Sequence, residues 1–140
     1  MSNFEFIPTD KQIQESNIYK FMKKHNVLTI DELSEKAKNN LEWYWKSVDE
    51  DIGVVWDEPY TKVLDDSKGI AWSKWFVNGK TNIYKSSVEK FNKTSPEKIA
   101  YYFESEDGEK SRISYSELNS KVSKLANGLK SLGVKKGDVV

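Results

Sequence analysis

The stretch from Arg112 to Val140, RISYSELNSKVSKLANGLKSLGVKKGDVV, constrains the fold more than any other part of the chain. It reads as strand, helix, glycine turn and strand. Ser114 is an N-cap residue and Glu117, three positions on, completes a capping box: the serine oxygen accepts from an orphan amide and the glutamate reaches back to the cap's own N–H. Leu118, Val122, Leu125, Leu129 and Leu132 recur at alternating steps of four and three, which draws one apolar stripe along a helix. Lys121, Lys124, Asn127 and Lys130 take the opposite face. Gly133 stands where a left-handed residue ends a helix, with Val134 placed to fold back on the last turn. Lys135-Lys136-Gly137-Asp138 is a turn, and Val139-Val140 begins a strand. A βαβ unit needs a parallel partner strand several residues long and covered on both faces. Only two valines of it are present, so the chain is expected to be the front piece of a larger protein.

Upstream, Thr9 with Gln12 caps a first helix carrying Ile13, Ile18, Phe21 and Met22 and fading near His25-Asn26. Thr29 with Glu32 opens a second, carrying Leu33, Ala37, Leu41, Tyr44 and Trp45 and ending near Val48. A short loop between them gives an αα-hairpin. From Asp49 to Ser73 the periodicity dissolves, and an irregular segment is expected that pins itself to a larger body through Trp56, Tyr60, Val63 and Leu64. Trp75-Phe76-Val77 favours a strand and Asn78-Gly79 a tight turn. Tyr84 to Phe91 reads as a helix with Val88 and Phe91 inward, broken by Thr94-Ser95-Pro96-Glu97. Ile99 to Glu104 is the best strand, Asp107-Gly108 its hairpin turn, and Ser111 to Ser114 the returning arm.

The residues assemble no catalytic set. His25 is the only histidine and has no nucleophile elbow to pair with, so it is expected at a helix end or on the surface. With no cysteine there is neither a disulfide framework nor a zinc knuckle. Asp49-Glu50-Asp51 and Asp65-Asp66 lack calcium-loop spacing and read as solvated charge. Gly128 and Gly133 have the spacing of a phosphate loop, but Val134 follows where lysine is needed and Gly128 lies inside the helix. Gly128 is instead expected to permit close packing. Asn92-Lys93-Thr94 matches a glycosylation sequon with nothing else to point to secretion.

Lys and Arg together number 22 and so do Asp and Glu, and Arg112 is the only arginine. Balanced charge with almost no guanidinium gives no support for a nucleic-acid or membrane partner. No apolar run approaches the roughly 20 residues of a bilayer span, and no signal-peptide pattern opens the chain. A cytoplasmic location is expected. The five tryptophans lie between Trp43 and Trp75, and acids at Asp57, Glu58 and Asp65 flank the rings. A stacking platform for single strands wants basic residues there, so packing within the protein is the preferred reading of the cluster.

Two blocks carry a resemblance. Trp75-Phe76-Val77-Asn78-Gly79-Lys80-Thr81-Asn82-Ile83 resembles the tryptophan-phenylalanine-x-x-glycine-x-x-asparagine segment near the start of acetyl-CoA synthetases. Lys98 to Val140 resembles that family's hairpin, helix start (Ser114-Tyr115-Ser116-Glu117-Leu118, with serine for threonine) and lysine-lysine-glycine-aspartate turn. Leu33 to Trp45 is similar to the preceding helix, so the likeness runs over roughly residues 30–140 in family order. Val88-Glu89-Lys90 stands where the family often has aspartate-arginine-histidine, and Val139 where arginine is common, which bears on the branch. The resemblance implies an α/β fold: the N-terminal fragment of the large domain of adenylate-forming enzymes, with residues 1–96 as leading helices and Trp-rich wrapping loop and residues 97–140 as the start of the AMP-binding domain. It implies a parent enzyme that joins a short-chain carboxylate to CoA through an acyl-adenylate, using ATP and magnesium. The family's catalytic, nucleotide and CoA residues lie downstream, so no catalytic, cofactor-binding or metal residue is assigned here. The expected partner is the remainder of the synthetase. The alternative is a stand-alone binding or assembly module that uses the aromatic loop.

Overall fold

The computed structural model describes residues 6–140. Thr9 caps α1 (Asp10–Glu15) with a complete capping box to Gln12, as the spacing predicts. The single helix expected here is two, α1 and α2 (Asn17–Lys24), because Ser16 is extended (φ −66°, ψ 148°). Its hydroxyl donates to the Ile13 carbonyl (2.6 Å) and accepts from the Tyr19 N–H (3.2 Å), closing one helix and opening the next. Serine offers the backbone this alternative to helix continuation.

The same happens in the second expected helix. α3 (Ile30–Asn39) starts at Thr29, which accepts from the Glu32 N–H (3.1 Å). The Glu32 carboxylate returns not to Thr29 but to the Leu28 N–H (2.8 Å). Asn40 (φ −148°, ψ 79°) then breaks the helix and caps α4 (Leu41–Ile52) by accepting from the Trp43 N–H (2.9 Å). Gly53, left-handed at φ +67°, ends α4 four residues beyond the expected stop at Val48. The αα-hairpin thus becomes a core shared by α2, α3 and α4: Phe21, Met22, Val27 and Leu33 are buried, with Trp43, Tyr44 and Val48 packed against them.

The expected irregular segment is largely ordered. Strands β1 (Trp56–Glu58), β2 (Lys62–Asp65), β3 (Lys74–Val77) and β4 (Lys80–Thr81) form two nested antiparallel ladders. β2 pairs β3 in the register Lys62↔Val77, Leu64↔Trp75, Asp65↔Lys74. β1 pairs β4 through Trp56↔Thr81 and Glu58↔Lys80. Val63 and Leu64 are buried. A window of sequence shows alternation but not a partner some ten to twenty-five residues away, so these ladders escape a local reading. The Asn78-Gly79 turn forms, with the Gly79 N–H on the Phe76 carbonyl (2.9 Å). It joins β3 to β4, which do not pair with each other.

A π-helical turn (Lys85–Glu89) runs into α5 (Lys90–Thr94), with Val88 buried as expected. β5 (Ile99–Glu104) and β6 (Lys110–Ser114) form the expected hairpin, from Tyr102↔Arg112 to Glu104↔Lys110, with Gly108 at φ +80° in its turn. α6 (Tyr115–Ser131) follows with both halves of its capping box made. Past it, the Gly133 N–H bonds to Lys130 (3.0 Å) and the Val134 N–H to Leu129 (3.1 Å), with Gly133 at φ +88°. This pair of hydrogen bonds is the helix stop the sequence predicts. Val139 and Val140 pair with no strand among the described residues and are 100% and 90% exposed.

The chain divides into two units. One contains the residues up to Val54 together with Pro59–Gly79; the other contains Val55–Glu58 and Lys80–Val140.

Candidate docking faces

Within the second unit, β1 is held by a dense set of polar contacts. The Val55 N–H donates to Ser86 Oγ (2.9 Å) and Thr81 Oγ1 donates to the Val55 carbonyl (2.7 Å). Lys80 pairs with Glu58 (2.8 Å) and Lys85 with Asp57. The hydrogen bond and charge of Asp57 raise the Lys85 ammonium above the usual lysine range. α6 is seated by the Tyr84 hydroxyl, which donates to Asn119 Oδ1 (2.5 Å), and by the Tyr115 ring against Phe91 (5.0 Å between centroids). Its N-terminus is tied down where the Tyr115 and Ser116 N–H groups reach the Lys98 and Pro96 carbonyls (3.0 Å each).

These contacts use only part of the apolar surface. Along the predicted stripe Leu118, Val122 and Leu129 are half-buried, whereas Leu125 and Leu132 are exposed. On the hairpin Tyr101, Tyr102 and Phe103 are all exposed, so rings stand uncovered on both faces of β5. Uncovered apolar surface on this scale marks an interaction face.

In the first unit the aromatic cluster is mostly used internally. Trp45 meets Tyr44 (5.3 Å) and Trp75 (5.8 Å) edge-on, and Tyr60 meets Phe76 (5.1 Å). Burial, then the nearby Asp49 carboxylate, raise the Tyr60 phenol above its ordinary value. Lys36 lies 4.1 Å over the Trp43 ring. Val63, Leu64 and Tyr60, read from sequence as pins for a distant surface, therefore pack inside this unit. The sequence reading passed over Ile70 and Trp72, in the 3₁₀ turn between β2 and β3, and these are exposed, as is Ile52 at the end of α4.

The other sequence candidates are placed as follows. His25 caps α2 with its ring on Phe21 (4.6 Å) and Trp43 (5.4 Å); it is a half-buried helix-end residue rather than a surface one. Asp49-Glu50-Asp51 lies in the last turn of α4, where Asp51 pairs with Lys24 (3.2 Å). Asp65 accepts from the Ser67 N–H (3.2 Å); bonds from Ser67, then Lys62 and Lys74, hold its carboxyl below the usual range. Among the described residues no three His, Cys, Asp or Glu side chains gather into a metal set. Gly128 is mid-helix, and a Cβ there meets no atom within 4 Å, so the expected close packing at Gly128 is not found. No helix among the described residues is long and apolar enough to cross a membrane.

Comparison with known proteins agrees with this architecture. Residues 30–86 match the family model of the acetyl-coenzyme A synthetase N-terminus, and residues 88–140 that of AMP-binding enzymes. An acetyl-coenzyme A synthetase of Chromobacterium violaceum is 41% identical over 77% of this chain and 16% of its own length. One from Methanothrix thermoacetophila is 39% identical over 91% of this chain and 19% of its own. The solved acetoacetyl-CoA synthetase from Streptomyces lividans superposes with a TM-score of 0.80 at 26% identity, covering 94% of this chain and 21% of that one. The chain thus spans about a fifth or less of the relatives it matches. In sequence and in fold, then, this chain belongs to the acetyl-coenzyme A synthetase family and corresponds to its N-terminal portion.

Proposed function

We propose that this chain is the scaffold portion of a cytoplasmic ligase that converts ATP, a short-chain carboxylate and CoA into acyl-CoA, AMP and pyrophosphate. In this reading residues 1–96 form the N-terminal region and residues 97–140 the first hairpin and helix of the large AMP-binding domain, divided after the Pro96 break. The observation that carries it is the match, in family order, of two consecutive family models over residues 30–86 and 88–140 of a chain that fills about a fifth or less of the relatives. The physical support is the exposed Leu125 and Leu132 of α6 and the exposed rings of β5, which are surfaces for a larger body to bury.

In this reading ATP, magnesium and CoA are not held by these residues. Phosphate binding wants a glycine-rich cradle or a cation cluster. Gly128 is inside α6, and Lys80 and Lys85 are committed to Glu58 and Asp57. The reading therefore assigns those ligands to the protein beyond these 140 residues, and this portion's work is to position and cover. Acetate, propionate, a hydroxy acid and acetoacetate are the candidate substrates.

The test is carboxylate-dependent release of AMP and pyrophosphate by the full-length protein, or by this chain co-expressed with a separately encoded remainder. Turnover with at least one of the four acids is the expected result. No carboxylate-dependent AMP in either arrangement would overturn the reading. Saturable micromolar binding of a nucleotide or sugar by this chain, seen in its tryptophan fluorescence, would favour a binding module instead.

A further inference from the structure

Asparagine is followed by glycine twice in the chain, at Asn78-Gly79 and Asn127-Gly128. In this dipeptide an asparagine side chain most readily cyclises onto its own backbone, because glycine has no Cβ to shield the attacking amide nitrogen. The two sites stand in different backbones. Asn127 and Gly128 lie inside α6, where the Gly128 N–H is spent on the helix ladder. Asn78 is exposed in the tight turn after β3, in the left-handed conformation at φ +63°.

Thr61, the residue before β2, closes over that turn. Its N–H donates to the Val77 carbonyl (2.9 Å), and its hydroxyl donates to the same oxygen (3.2 Å). With its one proton committed there, Thr61 Oγ1 is left as an acceptor, and it takes a bond from Asn78 Nδ2 (3.0 Å). The Gly79 N–H donates to the Phe76 carbonyl (2.9 Å). Both ends of the cyclisation are thus engaged. The nitrogen that would attack is tied as a donor, and the amide that would leave is held toward Thr61. A bond donated by Nδ2 also makes Cγ richer in electrons and a poorer target. The Asn78–Thr61 bond is a neutral one at the surface, a contact worth about fivefold in an equilibrium.

We propose that Asn78 is a latched deamidation site and that Thr61 is the latch. When the turn end of the β2–β3 ladder opens, the Gly79 nitrogen gives up its proton and bonds to Asn78 Cγ. The Cγ–Nδ2 bond breaks, and ammonia leaves carrying that proton. A five-membered imide remains, and water opens it at Cγ to aspartate or at the backbone carbonyl carbon to isoaspartate. The change is one-way. A carboxylate cannot donate to Thr61 Oγ1, and isoaspartate adds a carbon to the main chain of the turn. A transient opening is thereby recorded as a lasting loss of the latch.

The test follows both sites by peptide mapping with mass spectrometry in the full-length protein at mildly alkaline pH. Each site's rate in guanidinium chloride is its own reference. In the folded protein Asn78 is expected to convert several-fold more slowly than its reference, and Asn127 to be slowed further still. Thr61→Val should speed Asn78 about fivefold and leave Asn127 unchanged, whereas Thr61→Ser keeps the hydroxyl and should match the parent. Thr61→Ala replaces the valine variant if that one fails to fold. Asn127 is the internal control, since a general loosening of the protein would speed both sites and release of the latch only one. Folded Asn78 converting as fast as its reference, or Thr61→Val leaving its rate unchanged or speeding both sites alike, would overturn the proposal.

Discussion

Replacing Ser114 by alanine tests the joint on which the second unit turns from hairpin to helix. Ser114 is buried, and its Oγ accepts from the Glu117 N–H at 3.2 Å while Glu117 Oε2 accepts from the Ser114 N–H at 2.8 Å. Losing an N-cap acceptor costs about 0.5–2 kcal/mol. Ser114 is buried and the bond part-buried, so the upper half of that range applies, about 1.5 kcal/mol. That is about a tenfold larger opening constant for α6. The assay is amide hydrogen exchange along α6, read from Lys121 to Leu125, under conditions where exchange follows the opening equilibrium. Ser114→Asp and Ser114→Thr keep an acceptor and should exchange like the parent. Glu117→Ala should cost less than Ser114→Ala, and the double variant less than the sum, because both bonds belong to one box. If Ser114→Ala leaves these amides within twofold of the parent, or the two substitutions prove additive, the capping box is not what fixes the start of α6.

Gly128 and Gly133 should respond in opposite directions. A methyl at Gly128 meets nothing and removes a flexible residue from a helix interior, so Gly128→Ala should stabilise α6 by about 0.5–1 kcal/mol. Gly133→Ala meets no atom either, but its φ of +88° is closed to an L side chain, and it should destabilise by about 1 kcal/mol or more, both read by denaturant titration. Leu33→Ala strikes a small core beside Phe21, Met22 and Val27 and should cost about 2–3 kcal/mol in urea unfolding followed by tryptophan fluorescence, at the lower end because no large side chain of the described core is fully buried. Asp65 tests pH dependence. Its folded pKa lies below the unfolded value, so the β2–β3 turn is supported above the ordinary carboxylate range, about 3.9, and that support fades as pH falls through the lowered value. The Ser67 amide resonance should therefore titrate below that range, and a midpoint at or above it would refute the assignment.

The parts of the fold that were legible in the sequence are those whose causes are local. The capping boxes at Thr9 and Ser114, the Gly133 stop, the Asp107-Gly108 turn and the strand from Ile99 involve groups only a few residues apart. The two helix breaks were local as well, yet went unread. Ser16 and Asn40 sit inside apolar periodicity, and whether such a residue caps or continues depends on a small balance between its own hydrogen bonds and those of the helix. The docking faces were half legible: the stripe of α6 follows from spacing, but which of its leucines stay exposed does not.

The sequence by itself determined the strand–helix–turn order of the last third, the apolar stripe of α6 and the resemblance to acetyl-CoA synthetases. Each is written in residue type at fixed short spacing, where backbone geometry leaves few choices. Only the tertiary structure decided that the stretch around Trp56 pairs with residues near Lys80, that Val63 and Leu64 turn inward, and that Ile70 and Trp72 are left in water. Those outcomes depend on which distant strand closes each ladder, and closing such a loop is a matter of the whole chain's entropy and packing rather than of any one window.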